Sequence, residues 1–159
     1  MIGLDDRERR RLREQLARGD AAAADEAMSL LLDVPTQGEL DPADLVASLA
    51  AMERLGLPGQ AAMSESFMLL AQRHLDVSVP VLIALAGRDP LNHSGKLSAS
   101  TLYEVLYYAP ELGTTDEGLL RRAWQGLETS GIARLIDPVR TRAAALPPEH
   151  PLRRALTPT

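Results

Sequence analysis

Residues 41–56, DPADLVASLAAMERLG, and residues 98–113, SASTLYEVLYYAPELG, can be laid over one another at an offset of 57 positions. Asp41 then meets Ser98, Leu45 meets Leu102, Leu49 meets Leu106, Leu55 meets Leu112 and Gly56 meets Gly113. In each copy the leucines recur at steps of four and six, which keeps them within about a third of a turn on one side of a helix. Asp41 can accept from the free N–H groups of a helix start, and Pro42 at the first helical position forfeits no intrahelical bond. Gly56 falls where a chain leaving a helix needs a left-handed residue. Beyond the glycines the parallel continues, with Met63, Phe67 and Leu70 meeting Leu120, Trp124 and Leu127. Each copy reads as a helical hairpin, and residues 41–146 as two imperfect helical repeats.

Outside the repeats the same signals predict further helices. Asp5 with Glu8 forms a capping box for a helix that Gly19 ends, with only Leu12 and Leu16 as its apolar face, so weak docking is expected. Asp20 can cap a second helix carrying Ala24, Ala27, Met28 and Leu31, stopped by Pro35-Thr36-Gln37-Gly38. Residues 1–38 thus read as N-terminal capping helices. A helix is expected from about residue 60 to 75. Val77 to Ala86 is rich in β-branched residues, but Pro80 lacks the N–H of a central strand and no second strand candidate exists to pair with it, which favours a short buried helix. Helix six spans Ser98 to Ala109. Thr114 and Glu117 suggest a capping box for a helix ending near Gly131, and Asp137-Pro138 starts or kinks a last helix to Leu146. Residues 147–159, with Pro147, Pro148, Pro151 and Pro158, read as a loose tail.

Composition agrees with an all-α single domain over residues 1–146, of seven to eight short helices in stacked hairpins or an irregular bundle. Leu and Ala number 28 and 23 against 11 for Val and Ile together, and straight-chain residues keep rotamer freedom in helices that β-branched ones lose. The absence of cysteine excludes disulfides, thiolate metal sites and a cysteine nucleophile. No apolar leader and no run of about 18 apolar residues is present, so a cytoplasmic protein with no membrane role is expected. The net charge of −5 is unevenly spread: residues 21–120 hold fourteen acids against four bases, whereas residues 121–159 hold seven arginines against three acids. An acidic centre attracts basic proteins, unless the basic end neutralises part of it internally.

No motif carries a recognisable chemistry. The loop Gly87 to Leu97 contains Gly95-Lys96, yet a phosphate-binding loop needs glycine where Pro90 stands and Ser or Thr where Leu97 stands. His74, His93 and His150 are isolated from one another, and none pairs with an acid at i, i+3 or i+4 on a helix, so no metal is expected. His74 reads as a core residue. Asp116-Glu117 sits at a helix start, where the macrodipole explains it without acid–base work. The arginines between Arg7 and Arg13 are interleaved with Asp5, Asp6, Glu8 and Glu14, which argues for a solvated face rather than a nucleic-acid helix. Tyr103, Tyr107 and Tyr108 gather three of the five aromatic residues on helix six.

Through the Asp41-Pro42 start and the leucine-spaced hairpins, residues 41–146 resemble in a general way the helical solenoids of the HEAT and armadillo type. The offset exceeds the ~40–47 residues usual there, so a third short helix per unit is implied. That resemblance implies a partner-binding surface. The expectation is therefore a non-catalytic protein-interaction module without cofactor, in its most concrete form an immunity or inhibitor protein that covers a basic protein partner with an acidic face. Acids and tyrosines coincide at Asp89, Tyr103, Glu104, Tyr107, Tyr108, Glu111, Asp116 and Glu117, the expected partner-binding residues. The alternatives are a small helical enzyme or ligand-binding module with a pocket near residues 87–97, and a nucleic-acid-associated protein using the Arg-rich ends, for which the charge is poorly suited.

Overall fold

The computed structural model describes residues 5–33, 40–88 and 93–158, and of residues 87, 88, 93 and 94 the backbone alone. The described residues form nine helices and no strand: α1 (Asp6–Arg18), α2 (Ala21–Leu32), α3 (Pro42–Arg73), α4 (Leu75–Arg88), α5 (His93–Tyr107), α6 (Ala109–Leu112), α7 (Glu117–Ser130), α8 (Ala133–Ala144) and α9 (Pro151–Leu156). Where one domain was expected, the chain divides into two compact units, residues 1–81 and 82–159, with the boundary inside α4. The ambiguous stretch from Val77 to Ala86 is helical and belongs to α4. None of these helices is long and apolar enough to cross a membrane.

In the first unit, α1 and α2 pack on α3, and Leu16, Met28, Leu31, Leu45, Leu49, Met52, Met63 and Leu70 are fully buried. Asp5, Asp20 and Asp41 each cap their helix through a side-chain oxygen. α3 is two helical segments meeting at Gly56, whose φ of 65° and ψ of −143° no residue with a Cβ adopts readily. The weak docking expected of α1 is corrected. Its two buried leucines are reinforced by Arg9 Nη1 on Asp44 Oδ2 at 2.7 Å and Arg13 Nε on Asp44 Oδ1 at 2.9 Å, while Arg13 also binds Asp41. Asp44 is 1% exposed. Two arginines of the supposedly solvated face are thus tied across to α3. Arg54 donates to the carbonyls of Leu16 and Gly19, closing the C-terminal end of α1, and Arg73 does the same for Leu32 at the end of α2.

The second unit packs α5 on α7 and α8, with α9 against α7 and α8. Its core includes Leu102, Leu106, Leu120, Leu127, Val139 and Leu152. A Cβ on Gly126 would lie 2.7 Å from Ile83 Cγ1, so glycine permits the approach of α4 to α7 here. Pro110 and its missing N–H divide the expected helix six, which ends at Tyr107 and resumes as the short α6 before Gly113 at φ 70°. α7 is capped by Asp116, which accepts from Leu119 N–H, and not by Thr114. α8 begins four residues before Asp137, so Pro138 lies inside the helix instead of starting it. The expected loose tail is likewise corrected: α9 buries Leu152 and Ala155, His150 Nδ1 caps it, and Arg153 donates to the Leu146 carbonyl. Only two apolar residues three positions apart anchor it, too short a pattern to register as periodicity among four prolines.

Residues 57 positions apart share burial. Leu45 and Leu102, Leu49 and Leu106, Met63 and Leu120, Phe67 and Trp124, and Leu70 and Leu127 are all buried, but Leu55 is half-buried where Leu112 is exposed, and Gly56 and Gly113 share a positive φ with ψ of −143° and 26°.

Candidate functional site

α5 brings Tyr103, Glu104 and Tyr107 together because residues three and four apart share a face. Tyr108 joins α5 to α6 with φ −96° and ψ 8°, which turns its ring across that of Tyr107. The Tyr103 and Tyr107 rings lie 5.3 Å apart and tilted by 32°, and those of Tyr107 and Tyr108 lie 5.0 Å apart, edge to face at 73°. Both are favoured aromatic geometries. Tyr103 and Tyr107 are half-buried, whereas Tyr108 is 42% exposed and Leu112, one turn further along, is 51% exposed. Burial, then the neighbouring tyrosines and Glu104, push the Tyr103 hydroxyl above its ordinary pKa.

The acids of this region divide into one left without a cation and three already engaged. Arg142 reaches from α8 to bond Glu111, and its guanidinium carbon stands 4.7 Å from the centre of the Tyr107 ring. Glu111 is held below its ordinary pKa, first by its own backbone N–H and then by Arg142. Asp116 is the cap of α7, and Glu117 pairs with Arg154 at 2.8 Å and with Arg121 at 3.6 Å. Glu117 is thus tied to α9 and Asp116 to the first turn of α7. Glu104 is half-buried with no ion pair among the described residues, and burial raises its pKa. Asp89 lies outside the described residues, as do residues 90–92 of the loop offered for a ligand pocket. Among the described residues no group of three His, Asp or Glu side chains could hold a metal.

A second feature escaped sequence reasoning. A groove of about 630 Å³ opens between α7, α8 and α9, lined by Trp124 and by Arg121, Arg140 and Arg153 among others. The seven arginines after residue 120 hinted at it, but no sequence pattern announced that α9 would fold back to close the groove. No family model, curated protein or solved structure matches the chain.

Proposed function

We propose that this chain is a non-catalytic protein-interaction module whose partner docks on the α5–α6 face around Tyr108 and sets a basic side chain against Glu104. One observation carries the reading: a half-exposed tyrosine stands one helical turn from a carboxylate that burial has partly desolvated and that has no ion pair among the described residues. A lysine or arginine from a partner would relieve that cost, and Tyr108 with Leu112 offers the apolar area that such a contact needs at its centre. The exposed Glu111–Arg142 pair then forms part of a polar rim. An immunity or inhibitor protein that covers a basic enzyme is the finer form of this proposal. The net charge of −5 supports it through steering of a basic partner. The matched burial at the 57-residue spacing supports reading the chain as two copies of one helical unit that presents such a surface.

The test is co-expression with the products of neighbouring genes, followed by purification of a stoichiometric complex that weakens with salt. Within that complex Tyr108→Ala weakens binding about tenfold or more and leaves the melting temperature nearly unchanged, since truncating a central aromatic often removes about 2 kcal/mol. Glu104→Lys slows association. Unchanged affinity for Tyr108→Ala would assign the ring to idle surface, and unfolding would assign it to the core; either outcome removes this docking face.

A further inference from the structure

We propose that the groove between α7, α8 and α9 is a binding site for a small amphiphilic carboxylate, a monoanion carried on an aryl or alkyl body. Its volume of about 630 Å³ falls in the ~300–1,000 Å³ range of small-molecule sites. Trp124, Ala143 and Leu156 are among its apolar lining residues. Three guanidiniums line it, of which Arg121 pairs with Glu117 and Arg140 with Glu128 and Asp137, while Arg153 has no carboxylate partner among the described residues.

The arginines differ in how they are held. Arg121 donates to the carbonyls of Arg154 and Thr157 at 2.8 Å each and also pairs with Glu117 at 3.6 Å, whereas Arg153 donates to the carbonyl of Leu146 at 2.7 Å. Carbonyls fix a guanidinium in place without cancelling its charge, and each guanidinium has five N–H donors, so capacity remains for an incoming anion. Arg140 is held differently, with its guanidinium carbon 5.5 Å from the Trp124 ring centre and contacts to Glu128 at 3.3 Å and Asp137 at 3.9 Å. Those pairs are exposed, and exposed pairs are worth little. Arg140 can turn from Glu128 to a ligand while staying over the indole.

Helix capping accounts for Arg121 and Arg153, but it accounts neither for Arg140 over the only tryptophan of the chain nor for the open volume beneath. Glu128 at the rim disfavours a dianion, and the planar guanidinium fork fits a carboxylate in bidentate fashion. A nucleic-acid backbone calls for a longer positive track than residues 82–159 provide, with nine bases against eight acids.

Because Trp124 is the only tryptophan, its emission reports on the groove directly. The full chain is titrated with phenylbutyrate, and in parallel with phenylbutanol, phenylbutylamine and inorganic phosphate. Phenylbutyrate produces a saturable change in Trp124 emission, the alcohol binds about tenfold more weakly or worse, as loss of a charge-assisted hydrogen bond implies, and the amine and phosphate give no saturable response. Arg140→Gln weakens phenylbutyrate by about tenfold on the same reasoning, whereas Arg122→Gln, exposed on α7 and outside the groove, leaves affinity unchanged. The proposal is overturned if phenylbutyrate gives no saturable change, if the alcohol binds as well as the acid, if phosphate binds as well as phenylbutyrate, or if Arg140→Gln leaves affinity intact.

Discussion

Glu104 shows what one residue can and cannot reveal from its place in a sequence. Its position between Tyr103 and Val105 was plain, but its burial was not, and burial raises its pKa above the ordinary 4.5. A group with a raised folded-state pKa contributes stability below its unfolded pKa and loses that contribution as pH rises through the folded value. Glu104→Gln therefore raises the melting temperature at pH 7 relative to the parent chain, and the difference vanishes near pH 4. A calorimetric series across that window checks it, and a constant difference at every pH would refute the assignment. Other residues were legible because their work is local. Asp5, Asp20 and Asp41 cap helices as their spacing suggested, whereas Gly56 takes a positive φ with ψ −143° in place of the left-handed conformation expected of it, which Gly113 adopts. Asp116 displaced Thr114 as a cap because either can accept from the first turn, and only the path of the chain between Gly113 and α7 decides which does.

At the scale of elements, α1 illustrates why apolar count alone misjudges docking. Two buried leucines suggested a loosely held helix, yet Arg9 and Arg13 converge on Asp44, which is almost wholly buried at the start of α3. Removing one partner of a buried pair leaves charge uncompensated and is strongly destabilising, about 3–5 kcal/mol when both partners are enclosed. Arg13 is partly exposed, so Asp44→Ala is expected to lower stability by about 2–3 kcal/mol, read from the urea midpoint at constant slope. A loss below about 0.5 kcal/mol, ordinary for surface substitutions, would show that the leucines alone dock the helix. α9 carries the same lesson. Its two buried residues and its arginine-held end gave no periodic signal, while α7 was legible as a helix because it offers three or more turns of pattern, and α4 only because Pro80 and the lack of a pairing strand disfavoured a strand. Boundaries fared worse than elements: Pro138 lies within α8 and Pro80 within α4, since tertiary packing can hold a helix across a missing N–H.

Over the whole molecule, the decisive quantity is where sixteen arginines go. Of the seven after residue 120, Arg121, Arg140, Arg142, Arg153 and Arg154 bond carboxylates or carbonyls of their own unit. Arg121, Arg140, Arg142 and Arg154 pair with acids of their own unit, and with a net charge of −5 the chain is expected to flow through heparin at physiological salt. Retention that a few hundred millimolar salt is needed to break would contradict this and revive a nucleic-acid role. By itself the sequence determined that the described chain is helical, where α1, α2 and α3 start, and which apolar stripes become core, because caps and i, i+3 or i+4 contacts act within a turn or two. The tertiary structure alone decided the pairings of Arg13 with Asp44, Arg54 with Leu16 and Arg142 with Glu111, which are 31, 38 and 31 positions apart. Electrostatic and hydrogen-bonding energies depend on separation in space, and over such lengths of chain that separation is set only when the helices pack.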